Sequence, residues 1–356
     1  MAERGRWTCA ARGLVMNNFA IGVDLGGTNL RISAVDDQGH LIEKVTLGTR
    51  VSLGRDHVVN DMCDAIQRLS EKYRSSSSLL GIGIGVPGII DLQSGMVRES
   101  PNLPGWADYP VRAEIERRLS TMVILENDAN VAALGEKWLG AARDYDDMSM
   151  WTLGTGVGGG IVLEGKIWHG MNGMAGEFGH NTVEPEGNPC NCGNRGCLEQ
   201  YASATAVVRM ARECVADNAS SPFARAFHSD PEFSAKSIYN LAIQGDEDAR
   251  RIYRRVGRAL GIVLANMVNS LNLPMYVIGG GVSSAWDAFA PAIFEELRQR
   301  SMVYAATAPS DPLHGGAGAS AQVDPGQGRR TIITRALLGS DAGLYGAARL
   351  PMTAKP

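Results

Sequence analysis

Aromatic residues, basic clusters and long apolar runs are all scarce in this sequence. Its 356 residues include 6% aromatic side chains and carry a formal net charge of −4. No group of lysines and arginines with interleaved aromatics occurs, so nucleic acid is not an expected partner. No apolar run approaches the roughly 18 residues that a membrane span needs, and residues 1–18 lack the apolar centre of a signal peptide. We therefore expect no membrane partner and a cytoplasmic location.

Cysteine is also scarce, yet three of the six cysteines lie in one short segment. Cys190, Cys192 and Cys197 are spaced C-x-C-x4-C, and the glycines among them permit tight turns that bring three sulfurs together. His180 supplies a fourth ligand. Three thiolates and one imidazole fill the tetrahedral shell of zinc, which predicts a structural ion with no open position. A redox pair is the rival interpretation, but the familiar C-x-x-C spacing is absent.

Hydrophobic residues make up 44% of the chain, enough to fill the cores of two α/β domains. Three strands near 19–24, 30–35 and 41–47 are predicted to form a meander, followed by a helix marked by Val59, Met62, Ile66 and Leu69 and a strand at 80–86. A strand at 122–125 leads into a helix after Asn127. Strands at 148–153 and 161–163 repeat the meander. A long helix then ends before Pro274, and strands at 275–278 and 331–334 precede a final helix at 343–350.

Three glycine clusters each follow a predicted strand: DLGGTN at 24–29, GTGVGGG at 154–160 and GGGV at 279–282. Glycine lets successive backbone amides turn inward around an anion, and threonine adds a hydroxyl donor. Ordinary tight turns are the alternative. There is no Walker A lysine, and GTGVGG opens a strand where a dinucleotide fingerprint would open a helix. The pattern therefore predicts a hairpin-type phosphate cradle, used twice.

Carboxylates accompany these clusters. Asp24 ends the first strand and could hold magnesium directly or through water, or could simply bond its own backbone as a turn residue. Asp128, in the run NDAN, could be a general base, with the Asn127 amide fixing another hydroxyl, although either residue could instead be a helix N-cap. Glu177 and Glu199 flank the cysteine segment. A surface carboxylate is the default for both, but a bound metal would hold them on the rim of the site that Asn127 and Asp128 line.

Together these residues resemble the ROK family of sugar kinases, repressors and uncharacterised proteins. The resemblance is carried in order by DLGGTN, GVPG at 85–88, PNLPGW at 101–106, NDAN, GTGVGGG, the E-x-G-H of Glu177 to His180 and the run C-x-C-G-x-x-G-C-L-E. It extends from about Ile21 to the C-terminal helix. It implies the actin-like ATPase (ribonuclease H-like) fold, with two α/β domains around a cleft. We expect a tail at 1–18, a small domain at 19–126 and a large domain at 127–350 that includes the zinc loop 180–199, with a return of the final helix to the small domain left open.

The resemblance also implies roles for individual residues. Asp128 would be the catalytic base that deprotonates the primary hydroxyl of a hexose. ATP, with magnesium, would be held by Asp24, Gly26, Gly27, Thr28, Asn29, Gly154, Thr155 and Gly156, with Gly279, Gly280 and Gly281 beside the adenosine. The sugar would be held by Gly88, Asn102, Asn127, Asp128, Glu177, His180 and Glu199. His180 would give one ring nitrogen to zinc and the other to a sugar hydroxyl.

The expected reaction is ATP-dependent phosphorylation of a hexose at C6, with glucose favoured by its frequency in the family. Kinases for N-acetylmannosamine, N-acetylglucosamine or fructose share these residues. The choice depends on the shape of the loops near Pro87–Gly88 and Asn172–Gly176. A sugar-responsive repressor is disfavoured, because only about twenty residues precede Ile21 and a DNA-binding helix-turn-helix needs more. The resemblance further implies a homodimer or homotetramer. Polyphosphate is an alternative donor, and segment 305–330 is expected to be a flexible loop.

Overall fold

The computed structural model describes residues 18–313 and 330–354. The expected N-terminal tail lies outside these residues except for Asn18, as does most of the expected loop 305–330. The part of that loop that is described departs from expectation, because residues 305–307 continue a helix that begins at Met302. Ser301 caps this helix, with its hydroxyl accepting the amide of Tyr304.

Two five-stranded sheets organise the chain. The first has the order β3-β2-β1-β4-β7 and the second the order β10-β9-β8-β11-β12, and a separate hairpin is formed by β5 and β6. The strands are β1 (Asn18–Leu25), β2 (Asn29–Asp36), β3 (Leu41–Gly48), β4 (Ser78–Val86), β5 (Ile89–Asp91), β6 (Met96–Glu99), β7 (Val123–Asn127), β8 (Met148–Leu153), β9 (Val157–Leu163), β10 (Lys166–Ile167), β11 (Met275–Gly279) and β12 (Ile332–Arg335). In each sheet an antiparallel meander continues into parallel strands. The predicted repetition of the meander is therefore confirmed.

Eleven α-helices lie within the described residues. They are α1 (Arg55–Tyr73), α2 (Val111–Leu119), α3 (Asp128–Trp138), α4 (Glu199–Ala202), α5 (Ala204–Asp217), α6 (Pro222–Ser229), α7 (Ala235–Ile243), α8 (Glu247–Leu271), α9 (Trp286–Arg300), α10 (Met302–Thr307) and α11 (Ala342–Thr353). No helix in ranges 18–313 and 330–354 is both long and apolar enough to span a membrane.

Helices α3 and α11 join the two sheets. They pack on each other, and α11 also lies on β1 and β4 while α3 lies on β8 and β9. The approach of α11 is close, since a Cβ atom added to Gly83 would lie 1.8 Å from the Ala347 carbonyl oxygen. At the far end of α3 the buried Glu136 carboxylate accepts the backbone amides of Leu337 and Leu338, at 3.1 and 2.7 Å. The segment that returns to the first sheet is thus fixed to α3.

The cores alternate with the strand period. Phe19, Ile21 and Val23 point to the face of the first sheet covered by α1, whereas Ala20 on the opposite face meets Ala348 of α11. In the second sheet Met148 and Met150 face α3, and a larger core with α5, α8 and α9 covers the other side. Small residues on the inner faces let the two joining helices approach both sheets.

The predicted elements are confirmed with small shifts of their ends, with one informative exception. The glycine-rich segment 154–160 was expected to be a turn, but β9 begins at Val157, so only residues 154–156 form the turn. Gly159 and Gly160 are packing positions. Added Cβ atoms would lie 2.2 Å from the Phe178 ring and 2.9 Å from the Ala133 side chain.

Candidate active site

The carboxyl ends of three parallel strands gather the first group of predicted residues. Strands β1, β4 and β7 run parallel, with Asp24 opposite Gly85 and Val86 opposite Asn127. Loops that leave the carboxyl edge of such a sheet share one crevice, which is where open α/β sheets bind ligands. Asp24, Gly88, Asn127 and Asp128 all follow or end these strands. Topology alone therefore brings the expected phosphate and sugar residues to one edge.

Asp24 is held by a side chain that the sequence analysis did not single out. Its Oδ2 accepts Arg31 Nη1 at 2.9 Å, so it is not the self-bonded turn residue of the alternative interpretation. Burial raises the pKa of Asp24, while the Arg31 guanidinium opposes that rise. The first turn of α11 lies against the carboxylate, because a Cβ atom added to Gly343 would be 3.1 Å from Asp24 Cγ. If Asp24 bound magnesium directly, Oδ1 would be the oxygen left for it.

In the NDAN run, the roles of helix N-cap and candidate base fall to different residues. Asn127 is the N-cap of α3: its Oδ1 accepts the amides of Ala129 and Asn130, and its Nδ2 donates to the Gly88 carbonyl at 3.3 Å. Asp128 is the first residue of the helix. Burial raises its pKa to about 6, with a further contribution from the negative charge of Asp24 and a smaller one from Glu177. A carboxylate with such a pKa is suited to accept a proton near neutrality.

The first glycine loop lies against a predicted sugar residue. Gly26 donates its amide to the Asn29 carbonyl at 2.9 Å, and Thr49 Oγ1 donates to the Gly26 carbonyl at 2.6 Å. Thr28 and Asn29 are exposed at the tip of the turn. A Cβ atom on Gly27 would meet Asn102 at 3.2 Å from its carbonyl oxygen. The first glycine loop and Asn102 are therefore in direct contact.

The second and third glycine loops are neighbours at the edge of the second sheet. Gly154 donates its amide to the Gly156 carbonyl at 2.9 Å, which closes a tight turn with Thr155 exposed. Gly280 has a φ of 84°, and a Cβ atom there would lie 2.5 Å from the Leu153 carbonyl oxygen. Gly281 is open. Gly279 is buried in β11 beside Met150, whereas Gly280 and Gly281 are exposed.

Glu199 connects the cysteine segment to the second loop. Its Oε2 accepts the Val157 amide at 2.9 Å, and the same oxygen would be 2.3 Å from a Cβ atom on Gly156. Two further contacts bind this region together: the Ala204 amide donates to the Gly154 carbonyl, and Thr205 Oγ1 donates to the Thr155 carbonyl. A residue expected at the sugar thus supports a loop expected at the phosphates.

The predicted zinc ligands converge. One ligand atom each from His180, Cys190, Cys192 and Cys197 lies within 4.8 Å of the other three. The Sγ atoms of Cys192 and Cys197 are 3.7 Å apart, as are Cys190 Sγ and His180 Nδ1. Tetrahedral zinc with bonds of about 2.3 Å separates two sulfurs by about 3.8 Å. The donor set and its spacing fit zinc.

The two ring nitrogens of His180 have different neighbours. Nδ1 points to the cysteine cluster, and Nε2 lies 4.0 Å from Glu177 Oε2. Glu177 precedes a turn of 3-10 helix at Phe178–His180, and the Phe178 ring stacks on Trp151 of β8 with centroids 4.3 Å apart. The cysteine cluster and the second sheet therefore both fix the segment that carries Glu177.

The two loops near Pro87–Gly88 and Asn172–Gly176, on which the choice of sugar was expected to depend, also meet. Gly173 has a φ of 84°, and a Cβ atom there would lie 3.6 Å from the Ile90 carbonyl oxygen of β5. Strand β5 follows Pro87–Gly88 directly. The hairpin β5–β6 was not predicted, because its strands are too short to show a period.

Sequence reasoning missed Arg31, the partner of Asp24, and Glu126, which precedes NDAN. The register of the first hairpin pairs Asp24 with Arg31, so a strand alignment of DLGGTNLR could have found that ion pair. Glu126 was passed over because it lies in a strand that reads as buried. A charged residue within a buried strand is itself the signal.

Comparisons with known proteins agree on one family. The ROK family model matches residues 20–353. A glucokinase of Halalkalibacterium halodurans is 39% identical over 94% of this chain and 95% of its own length. A glucokinase of Thermotoga maritima is 41% identical over 80% of this chain and 87% of its own length. The crystal structure of a ROK family glucokinase from Streptomyces griseus in complex with glucose and AMPPNP is similar with a TM-score of 0.74, 32% identity, and coverage of 94% of this chain and 100% of that one.

Proposed function

The chain belongs to the ROK family, and we propose that it transfers the terminal phosphoryl group of ATP to the C6 hydroxyl of glucose. The observation that carries this proposal is the position of the half-buried Asp128 carboxylate, at the edge where the expected sugar residues and the first glycine loop meet, with a pKa that desolvation raises to about 6. Two relatives that cover 94% and 80% of the chain, at 39% and 41% identity, are glucokinases. The fold is the actin-like ATPase fold that the resemblance implied.

In the proposed reaction Asp128 accepts the proton of the C6 hydroxyl as the hydroxyl oxygen attacks the γ-phosphorus of ATP. The bond from the γ-phosphorus to the β–γ bridging oxygen breaks, and ADP leaves with that oxygen. Phosphoryl transfer needs alignment and charge neutralisation more than covalent help. The backbone amides of residues 27–28 and 155–156 would supply neutralisation, since those of Gly26 and Gly154 close their own turns, and Gly280 and Gly281 would leave room for the nucleoside.

Sugar alignment is proposed for the remaining polar groups. Asn102 and Glu177 are exposed and available to hydroxyls, and His180 Nε2 points toward Glu177 rather than toward the cysteines. Asn127 caps α3, so a sugar hydroxyl would share its amide with the Gly88 carbonyl. A hydroxyl bound by Asn127 would thereby lie at a fixed position relative to α3, the helix that carries Asp128.

Two metals are part of the proposal. Zinc bound by His180, Cys190, Cys192 and Cys197 would hold the segment between Glu177 and Glu199, and a closed shell gives it no substrate position. Magnesium, which neutralises developing charge on the phosphates when bound, would be held through Asp24 Oδ1 or its water. Arg31 would keep that carboxylate oriented.

A comparison of sugars tests the proposal. Initial rates with ATP would be measured for glucose, N-acetylglucosamine, N-acetylmannosamine and fructose, by coupling ADP release to NADH oxidation. We expect kcat/KM to be highest for glucose. Negligible activity on glucose beside good activity on another sugar would overturn the assignment of substrate. Replacing ATP by polyphosphate in the same assay, with detection of glucose 6-phosphate, tests the donor.

The expected division into two domains is our proposal too, now with a defined place for the final helix. We propose a small domain formed by the first sheet and a large domain formed by the second, with α11 returning to the small domain, because α11 packs on β1 and β4. We also propose a cytoplasmic enzyme, since ATP is the donor, and a homodimer or homotetramer. Sedimentation analysis would measure the oligomeric state.

A further inference from the structure

A buried carboxylate lies two residues before the proposed base. It belongs to Glu126, which lies on β7 immediately before the NDAN run and is 4% exposed. Its Oε1 accepts two donors, the Asn127 amide and Asn130 Nδ2, each at 2.9 Å. Both donors belong to the start of α3, whose first residue is Asp128. The Glu126 carboxylate therefore helps to fix the turn from which the base projects.

The other oxygen of Glu126 binds a residue from the second half of the chain. His169 Nε2 lies 2.6 Å from Glu126 Oε2, and Glu126 raises the pKa of His169. The contact is thus a charge-assisted hydrogen bond across 43 residues of sequence. A buried carboxylate without such a partner destabilises the fold, which favours the Glu126–His169 hydrogen bond.

His169 is also the stem of the loop that leads to Glu177. Its carbonyl accepts the Ala175 amide at 3.2 Å, which closes the segment 169–175 on itself. The Gly176 backbone then lies against β9, since a Cβ atom there would be 2.6 Å from the Gly159 carbonyl oxygen. The loop is consequently held at two points, by Glu126 at its stem and by β9 next to Glu177.

We propose that His169 is a positioning residue, which through Glu126 sets the placement of the Glu177 loop relative to the base Asp128. This inference rests on the proposed function, because it gives the pair a role in aligning the sugar with the base. The phosphate loops at 26–28 and 154–156 make no bond to the pair. Sugar binding and turnover should therefore depend on the pair, and ATP binding should not.

Kinetics of a charge-removing variant test the proposal. In the full-length chain, His169→Gln should lower kcat/KM for glucose by about ten- to a hundredfold, the range expected for a small misplacement of reacting groups. The KM for glucose should rise and kcat should fall, while the KM for ATP stays within about twofold of the unmodified protein. A change confined to the thermal midpoint, or an equal rise in both KM values, would overturn the positioning role.

A second variant acts on the other partner. Glu126→Gln keeps an oxygen for the Asn127 and Asn130 donors but removes the charge that attracts His169. The fall in kcat/KM for glucose should resemble that of His169→Gln. The double variant should lose no more activity than the worse single variant, because both substitutions break the same hydrogen bond. Losses that multiply in the double variant would show that the two residues act separately, contrary to the proposal. If His169→Gln does not fold, Glu126→Gln alone still tests the proposal: a normal KM for glucose and a normal kcat in this variant would overturn it.

His40→Gln is the matched control. His40 forms a comparable pair with Asp36, at 2.9 Å between Nδ1 and Oδ2, but in the turn between β2 and β3. The His40→Gln variant should have the same kcat and the same KM values for glucose and ATP as the unmodified protein. Unmodified protein with no activity on glucose would contradict the proposed function itself, whereas an active protein that tolerates His169→Gln without kinetic change would contradict only the role of the pair.

Discussion

At the scale of single residues, Asp128 combines two opposed requirements. A base must be ionised to accept a proton, but burial and the nearby charge of Asp24 favour its protonated form and raise its pKa to about 6. The helix amides oppose this rise only in part, through the bond from the Ala129 amide to Asp128 Oδ1. The protein therefore keeps an ionised carboxylate at neutral pH at a cost in folding stability.

Asp128→Asn should separate activity from stability. The rate of phosphoryl transfer should fall by about a hundredfold or more, because the amide cannot accept the proton, while ATP binding persists. The raised pKa implies that stability from this carboxyl is present at low pH and lost as pH rises through about 6. At pH 8 the Asp128→Asn protein should therefore have a higher free energy of unfolding, by up to about 3 kcal/mol for a carboxyl whose pKa is raised to about 6.

Steady-state kinetics and denaturant unfolding at pH 8 measure these two effects. Asp144→Asn is the control, because Asp144 is exposed and contacts only its neighbour Arg143 at 3.5 Å among the ion pairs described. It should change neither quantity. An Asp128→Asn protein with normal turnover would remove Asp128 from the role of base.

The pH dependence of the unmodified protein follows from the same group. In the proposed role of Asp128 as base, the active form is the carboxylate, so kcat/KM for glucose should be level above about pH 7 and should fall as pH drops through about 6. Well below that pKa the decline should approach tenfold per pH unit. A profile from pH 4.5 to 8.5, with the coupling enzymes checked at each pH, measures it. A level profile down to pH 5 would be inconsistent with Asp128 as base.

At the scale of elements, glycines set how closely helices approach the sheets. The Cβ position of Gly83 is 1.8 Å from the Ala347 carbonyl oxygen, and that of Gly22 is 2.3 Å from the Leu344 carbonyl oxygen. These atoms are backbone, so they cannot move aside as a side chain would. Both glycines lie on the face of the first sheet that α11 covers. This face accepts a helix because it lacks side chains at two positions.

Gly83→Ala should therefore destabilise the fold by roughly 1–3 kcal/mol or more, the cost of overpacking a core. The free energy of unfolding in urea would measure this loss. Gly48→Ala is the control within the same sheet, because its Cβ atom would meet only the flexible Arg50 side chain at 3.7 Å. If both variants had equal stability, the close approach of α11 would not be a constraint.

The zinc loop is the second element with a testable role. Stripping the metal should weaken glucose binding much more than ATP binding, because the four ligands hold His180 beside Glu177. Calorimetric titrations with each ligand, before and after chelation and with magnesium restored, would measure this, and zinc addition should reverse it. Equal losses for both ligands, or none, would contradict the coupling. The bond from the Val157 amide to Glu199 predicts that a small effect on ATP remains.

At the scale of the whole molecule, features with a local pattern were predictable from sequence and pairings between distant segments were not. A pattern within a short stretch of sequence marks strand β1, helix α8 and the C-x-C-x4-C cluster, and each is found where expected. The Glu126–His169 pair has no such pattern, since its members are 43 residues apart. The burial of Gly279 has no local pattern either, because it depends on the neighbouring strands of the second sheet.

The position of α11 has a consequence for biosynthesis. Strands β1, β4 and β7 leave the ribosome early, but the helix that covers their inner face is translated after every strand of the second sheet. Until then Ala20 and Val35, which pack with Ala348, have no helix against them. The nascent chain must therefore hold an incomplete first sheet until α11 has been translated. The sheet is expected to be completed when α11 inserts beside α3 and joins the halves of the molecule.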